Sequence, residues 1–203
     1  MVSAMTTVTP PLTLADNLPA VRWRDAALVS GGILLTAAAA QVSIPRGFTP
    51  VPVTGQTLAV LLIGATLGAK RAVLSQALYW MLGAAGLPFF ASGDGGWAAA
   101  TGSTFGYFVG FVLAEALVGR LAERGQDRSL LTSFTAMLAG TAIIYATGVS
   151  WLAWTLNVPF YSGDGADAFT YGLAPFIVGD MIKLVLAASL TPAVWALLRR
   201  GEH

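Results

Sequence analysis

Apolar residues run along this chain in long blocks, separated by short connections that carry charge, glycine or proline. The blocks are Ala26 to Ile44, Thr54 to Gly68, Ala72 to Pro88, Ser103 to Ala122, Leu130 to Leu156 and Gly172 to Leu198. Roughly 20 apolar residues in a helix cross a bilayer, so the pattern predicts six transmembrane helices. The second block is short and is expected to tilt or to sit beside a locally thinned bilayer. It joins the third through Gly68-Ala69-Lys70-Arg71, which reads as a tight hairpin. The blocks lack the period-two alternation of membrane β-strands, so the expected class is all-α rather than a β-barrel. Their many glycines and alanines suit close helix contact in lipid.

Composition agrees. Of 203 residues, 56% are hydrophobic and only 10% charged, whereas soluble domains are typically about a quarter charged. The expectation is one integral membrane domain over residues 22–200, with residues 1–21 a disordered cytoplasmic tail of Thr, Pro and Ala without apolar period. A net charge of +1 argues against a nucleic-acid partner. There is no cysteine, and the only histidine is His203, which leaves no thiolate or zinc site and no His-based triad. No Walker motif is present, so coupling to ATP would have to come from another subunit.

Basic residues set the orientation. Arg22, Arg24, Lys70, Arg71, Arg120, Arg124, Arg128, Arg199 and Arg200 fall on one side of the six-helix arrangement. Opposite them stand Arg46 and the acidic residues Asp94, Asp164 and Asp167. Both termini are therefore expected in the cytoplasm. Arg22 and Arg24 followed by an apolar run and Thr36-Ala37-Ala38-Ala39-Ala40-Gln41 also fit a cleaved signal peptide, but the polar tail ahead of them favours an uncleaved span.

The remaining charges are the chemistry. Asp180 and Lys183 lie inside the last block, three residues apart and hence on one helical face. A charge at the centre of a membrane helix costs about 2.5–3.5 kcal/mol on insertion scales, so an intramembrane acid and base together mark a site. Spacing alone is equally compatible with an ion pair that knits helices. Glu115, alone in the fourth block, reads first as a protonated or hydrogen-bonded acid and second as part of a proton path. Two outer connections stand out. The segment 44–56 alternates Pro45, Pro50 and Pro52 with apolar residues, which makes it stiff, extended and non-helical. The segment 86–97 mixes Phe89, Phe90 and Trp97 with glycines that allow close approach of backbone to a ligand. Interfacial anchoring accounts for Phe90 and Trp97 without a ligand.

Four stretches carry a resemblance: PVPVTGQTLAVLLIGATLGAKR (50–71), ALYWMLGAAGLPFFASGDGG (77–96), TGSTFGYFVGF (101–111) and PFIVGDMIKLVLAA (175–188). In combination they resemble the BioY family, the biotin-specific substrate-binding (S) components of energy-coupling factor (ECF) transporters. The resemblance covers roughly residues 30 to 190. It implies a six-helix, multi-pass plasma-membrane protein that binds biotin near its outer face, is no enzyme, and needs no cofactor or metal. Asp180 would accept from the ureido N–H groups, and Lys183 would donate to the ureido oxygen or hold Asp180 ionised. Tyr79, Phe90, Trp97 and Tyr107 would supply an aromatic-lined pocket and Gln56 a further hydrogen bond; Arg46, not part of the family pattern, is the outward cation available for the carboxylate. The implied partners are a transmembrane coupling subunit and a pair of ATPases, with docking on small residues of span one: the row Gly32, Thr36 and Ala40, and the adjacent Ala27 with Gly31. The chain departs from the pattern at Ser103, Gly55, Arg46 and Asp94. An S component for a different vitamin, or a structural helical membrane protein, remains the alternative.

Overall fold

The computed structural model describes residues 12–19, 21–163 and 165–200. Helix α1 (Arg24–Gln41) leads into an antiparallel hairpin, β1 (Ser43–Arg46) and β2 (Thr49–Thr54). Helices α2 (Gln56–Leu67), α3 (Ala69–Ala84), α4 (Phe105–Glu123), α5 (Leu130–Leu156) and α6 (Ile177–Arg200) follow. Two short helices, Trp97–Ala100 and Ala168–Gly172, lie in the connections. Among the described residues α4, α5 and α6 are long and apolar enough to cross a membrane, while α2 is a shorter apolar helix. At 1.5 Å per residue the 12 residues of α2 reach only about 18 Å. Large exposed side chains such as Leu34, Leu131, Val178 and Leu197 cover the outside of the bundle. Lipid, rather than water, is the solvent that such a surface fits.

The helix ends have local causes. Gly68, at φ 78°, turns the chain between α2 and α3 within a single residue, as the hairpin reading required. Helix α5 starts on Ser129, whose side chain accepts from the Thr132 amide, and stops at Asn157 in the left-handed conformation. Helix α1 stops at Gln41 rather than Ile44 because the chain turns into β1 ahead of Pro45. The last apolar block divides. Asp167 caps Ala168–Gly172 by accepting from the Thr170 amide at 2.7 Å, and α6 begins only after Pro175, which has no N–H to give.

Two expectations need correction. The proline-rich connection is extended, as its prolines demand, yet it is also paired: Ser43 faces Thr54, Ile44 faces Val53 and Arg46 faces Thr49, with an irregularity at Pro45. A two-strand ribbon has two outer edges, where proline's missing donor is not needed. The all-α bundle therefore carries one β-hairpin. The tail is also less featureless than its composition. Residues 1–11 lie outside the described residues, but Leu14–Asn17 form a 3-10 turn with Thr13 and Ala15 buried. Asp16 meets Arg71 at 2.9 Å. Partial burial would raise the Asp16 carboxyl, but bonds from Arg71 and Thr13 outweigh it and hold it below the usual range.

Helices α4 and α5 pack closely. A Cβ on Gly110 would press on the Thr147 hydroxyl and lie 2.8 Å from Ile144 Cα, so the approach at this point has no room for a side chain larger than glycine's. Ser133 and Thr191 hydrogen-bond at 2.9 Å where α5 meets α6. The buried aromatic cluster sits toward the hairpin end and includes Tyr79, Phe90, Tyr107, Phe108 and Phe111. That cluster walls the site.

Candidate functional site

Asp180 and Lys183 sit on the first turns of α6, and their spacing of three brings the ammonium to 2.7 Å from Asp180 Oδ1. Two further donors converge on the carboxylate. Thr57, on the first turn of α2, reaches Oδ1 at 3.0 Å, and Tyr145 of α5 reaches Oδ2 at 2.5 Å. Lys183 also donates to the Thr54 carbonyl, at 2.6 Å, where β2 runs into α2. Helices α2, α5 and α6 thus meet on one carboxylate that is only 6% exposed, and the hairpin joins them through Lys183. The distances suit charge-assisted bonds, the stronger class of hydrogen bond.

Above the pair opens a cavity of about 780 Å³, the size of a site for a small molecule. Asp180, Lys183, Thr54, Gln56, Thr57 and Tyr145 give its buried polar end. Phe90, Tyr107, Phe108, Phe111, Ile144 and Phe176 form an apolar belt, with the Phe90 and Phe108 rings 5.0 Å apart. Arg46 of the hairpin and Ser92 and Asp94 of the loop after α3 line the exposed end. Asp167 does not line the cavity. The Ser162 and Thr170 amides donate to it and lower its carboxyl to about 2.

The sequence candidates separate here. Asp180, Lys183, Gln56, Phe90, Tyr107 and Arg46 all line this one cavity. Tyr79 does not: it is fully buried behind the wall, where its hydroxyl accepts from Gln56 Nε2 at 3.0 Å and donates to the Phe89 carbonyl at 3.1 Å. It positions Gln56 rather than facing a ligand. Trp97 is 67% exposed and packs edge-on to Trp80, with centroids 6.0 Å apart, so it is a surface aromatic. Tyr107 lines the cavity with its ring while its hydroxyl is taken by the Gly172 carbonyl at 2.6 Å. Sequence reasoning passed over Thr57 and Tyr145. Tyr145 carried a signal, as the only tyrosine of the fifth apolar block; Thr57 carried none beyond adjoining Gln56.

The small-residue rows of α1 also separate. Gly32, Thr36 and Ala40 are buried, and a Cβ on Gly32 would lie 2.9 Å from Ser75 Cβ of α3. That row holds the bundle together and offers no outer surface. Ala27 and Gly31 are exposed, with nothing within 4 Å of the position a Gly31 Cβ would take.

A bundle of membrane helices around a cavity with an ion pair at its buried end defines a small multi-pass membrane protein of the S-component fold. A crystal structure described as the S-component for biotin from an ECF-type ABC transporter superposes with a TM-score of 0.71, covering 88% of this chain and 95% of that one at 24% identity. The sequence model of the BioY family matches residues 10–200. The chain is 42% identical to the biotin transporter BioY of Thermotoga maritima over 79% of its own length and 90% of the relative's. For the biotin transporter BioY of Rhizobium etli the identity is 39%, over 74% and 81%. The chain belongs to the BioY family, whose members named here are biotin transporters.

Proposed function

We propose that this protein is the substrate-binding transmembrane subunit of a biotin uptake system. It captures the vitamin from outside the cell and hands it inward when partner ECF subunits, a coupling protein and its ATPases, drive the change of access. The family membership supports the ligand, and the shape and polarity of the cavity support it independently. A cyclic urea presents two donors and one acceptor; an acid and an ammonium on one face complement both. The bicycle and aliphatic chain of biotin match the aromatic belt, and its carboxylate would meet Arg46 at the exposed end. The observation that carries the reading is the Asp180–Lys183 pair opening into the cavity instead of being sealed between helices.

Helices α1 to α6, the short α2 included, all cross the bilayer in this reading, with both termini in the cytoplasm. The chain itself catalyses nothing and carries no cofactor or metal. Release requires the ligand to leave two charges, so it depends on the partner; of the two small-residue rows of α1, Ala27 and Gly31 are the one left exposed for that partner. Equilibrium dialysis of the purified protein against labelled biotin tests the reading. Retention should be saturable and resist excess thiamine or riboflavin. Displacement by either vitamin, or no retention by a folded protein, would overturn it.

A further inference from the structure

Helices α3 and α4 run antiparallel, in contact at two levels. Gly119 of α4 abuts Ala69, where a Cβ would lie 2.6 Å from the Ala69 Cα. Phe108 of α4 meets Tyr79, with ring centroids 6.2 Å apart. Between these levels lie Glu115 on α4 and Gln76 on α3, 0% and 1% exposed. At a rise of 1.5 Å per residue, Glu115 stands about 6 Å from the Gly119 level and Gln76 about 10 Å from the Ala69 level, so less than one helical turn separates them. Helical side chains lean toward their own N-terminus. Glu115 therefore leans toward Phe108 and Gln76 toward Ala69, so the two side chains lean toward one another across one gap, with no hydrogen bond joining them.

Neither head is satisfied. Both carboxylate oxygens of Glu115 and both polar atoms of the Gln76 amide lack a hydrogen-bond partner. Buried polar atoms are rarely left so, and buried charge less often still. The elements packed on α4 bring no cation to the gap. Helix α2 has no titratable residue, and α5 has only Tyr145, which is bonded to Asp180. On α3 the facing stripe has Tyr79; Lys70 is exposed and Arg71 is paired with Asp16 and Asp25. The turn Gln126–Arg128 adds Asp127, bonded to Trp195, and Arg128, stacked on the same indole. On α4 itself, Arg120 and Glu123 lie beyond Gly119, and Tyr107 donates to Gly172. Hard metal ions take about six oxygens or more, and the gap offers three unpartnered ones among the described residues. One proton needs a single oxygen to hold it and one acceptor to receive its bond.

We propose that Glu115 and Gln76 form a buried site for one proton, Glu115 being the neutral acid in the ligand-binding state, and that this site is linked to the cavity through Tyr79 and Gln56. The link is contiguous. Tyr79 lies one turn from Gln76 on α3, and its hydroxyl receives the Gln56 amide that lines the cavity. Loss of the proton leaves an uncompensated carboxylate between α3 and α4, which draws in water and parts the seam that fixes Tyr79. Linkage then makes the effect mutual: biotin favours the protonated form, and the proton favours biotin.

The linkage rests on the biotin reading; the proton site does not. Infrared spectra of the protein in lipid at neutral pH should show a protonated carboxylic acid band that disappears in Glu115→Gln, an isosteric mimic of the neutral acid. Biotin affinity of the unaltered protein should fall as pH rises, by up to tenfold per pH unit, while Glu115→Gln stays flat over the same range. Absence of a Glu115-dependent acid band, or a band abolished by sodium at constant pH, would overturn the proton site. Parallel pH profiles for the two proteins would overturn the linkage. If neither bound biotin, the band would still decide the proton site and the reading of the cavity would be what fails.

Discussion

Replacing Asp180 with asparagine keeps the shape of the side chain and removes its charge. The carboxylate takes three bonds, from Lys183 at 2.7 Å, Thr57 at 3.0 Å and Tyr145 at 2.5 Å. The two hydroxyls can rotate to suit an amide, but the ammonium cannot. Breaking a buried pair by deleting one partner costs about 3–5 kcal/mol. The open cavity and the Thr54 carbonyl, 2.6 Å from Lys183, relieve part of that in the empty protein, so its stability should fall by only about 1–2 kcal/mol. The bound state loses more. Ureido N–H groups that met a carboxylate meet a neutral amide instead, and each bond to a charged group is worth about 1.5–3 kcal/mol. The expected loss of biotin affinity is therefore about 100-fold or more, at about 1.4 kcal/mol per factor of ten. Calorimetric titration measures it, beside a size-exclusion profile showing a monodisperse variant. An affinity within a few-fold of the unaltered protein would refute the argument. So would misfolding of Asp180→Asn that Lys183→Met repairs with binding intact, since the pair would then only hold helices together.

Tyr145→Phe removes one bond to Asp180 without altering its charge; the bond exists in the empty protein, so the melting temperature should fall, and a looser Asp180 should weaken biotin by about 1–2 kcal/mol, or roughly 5- to 30-fold. Gly110→Ala places a methyl group against the α5 backbone at Ile144, and overpacking of about 1–3 kcal/mol should lower the melting temperature in detergent. Arg46→Ala should weaken biotin more than biotin methyl ester if Arg46 meets the ligand carboxylate; an equal loss for both esterified and free vitamin removes that role. Asp167 has its carboxyl lowered to about 2 by the Ser162 and Thr170 amides. Its contribution to order in the 162–170 loop is therefore complete above the ordinary value of 3.8 and lost as pH falls through about 2. Protection of the Thr170 amide relative to its intrinsic exchange rate should be high at pH 5 and fall toward pH 2, whereas in Asp167→Ala it should be low at both.

The membrane bundle was legible because lipid imposes a simple rule on sequence, a long apolar run for each crossing. Turn chemistry was legible at Gly68, where a positive φ was required. The pair Asp180 and Lys183 announced itself by being charged where charge is costly. What stayed hidden depends on contacts between segments far apart in the chain. Composition marked the proline connection as extended, but its pairing into a hairpin depends on the register of Ser43 with Thr54. Tyr79 and Trp97 both look like pocket aromatics in sequence, and only the rotation of α3 and of the short helix Trp97–Ala100 turns them away from the cavity. In α1, residues spaced by four form two neighbouring rows, and the packing against Ser75 decides which row is inside. Thr57 and Tyr145 are ordinary residues until α2 and α5 aim them at one carboxylate.

The central claim is that Asp180 and Lys183 hold a cyclic urea at the buried end of the cavity. Comparing biotin with 2-iminobiotin at a pH where the latter is protonated tests this most directly, because the exchange turns only the ureido oxygen into a cationic group. Saturable one-to-one binding of biotin and at least a 100-fold loss for the analogue are expected, since Lys183 would face a positive charge in place of an acceptor. Equal affinity for the two ligands would contradict the account.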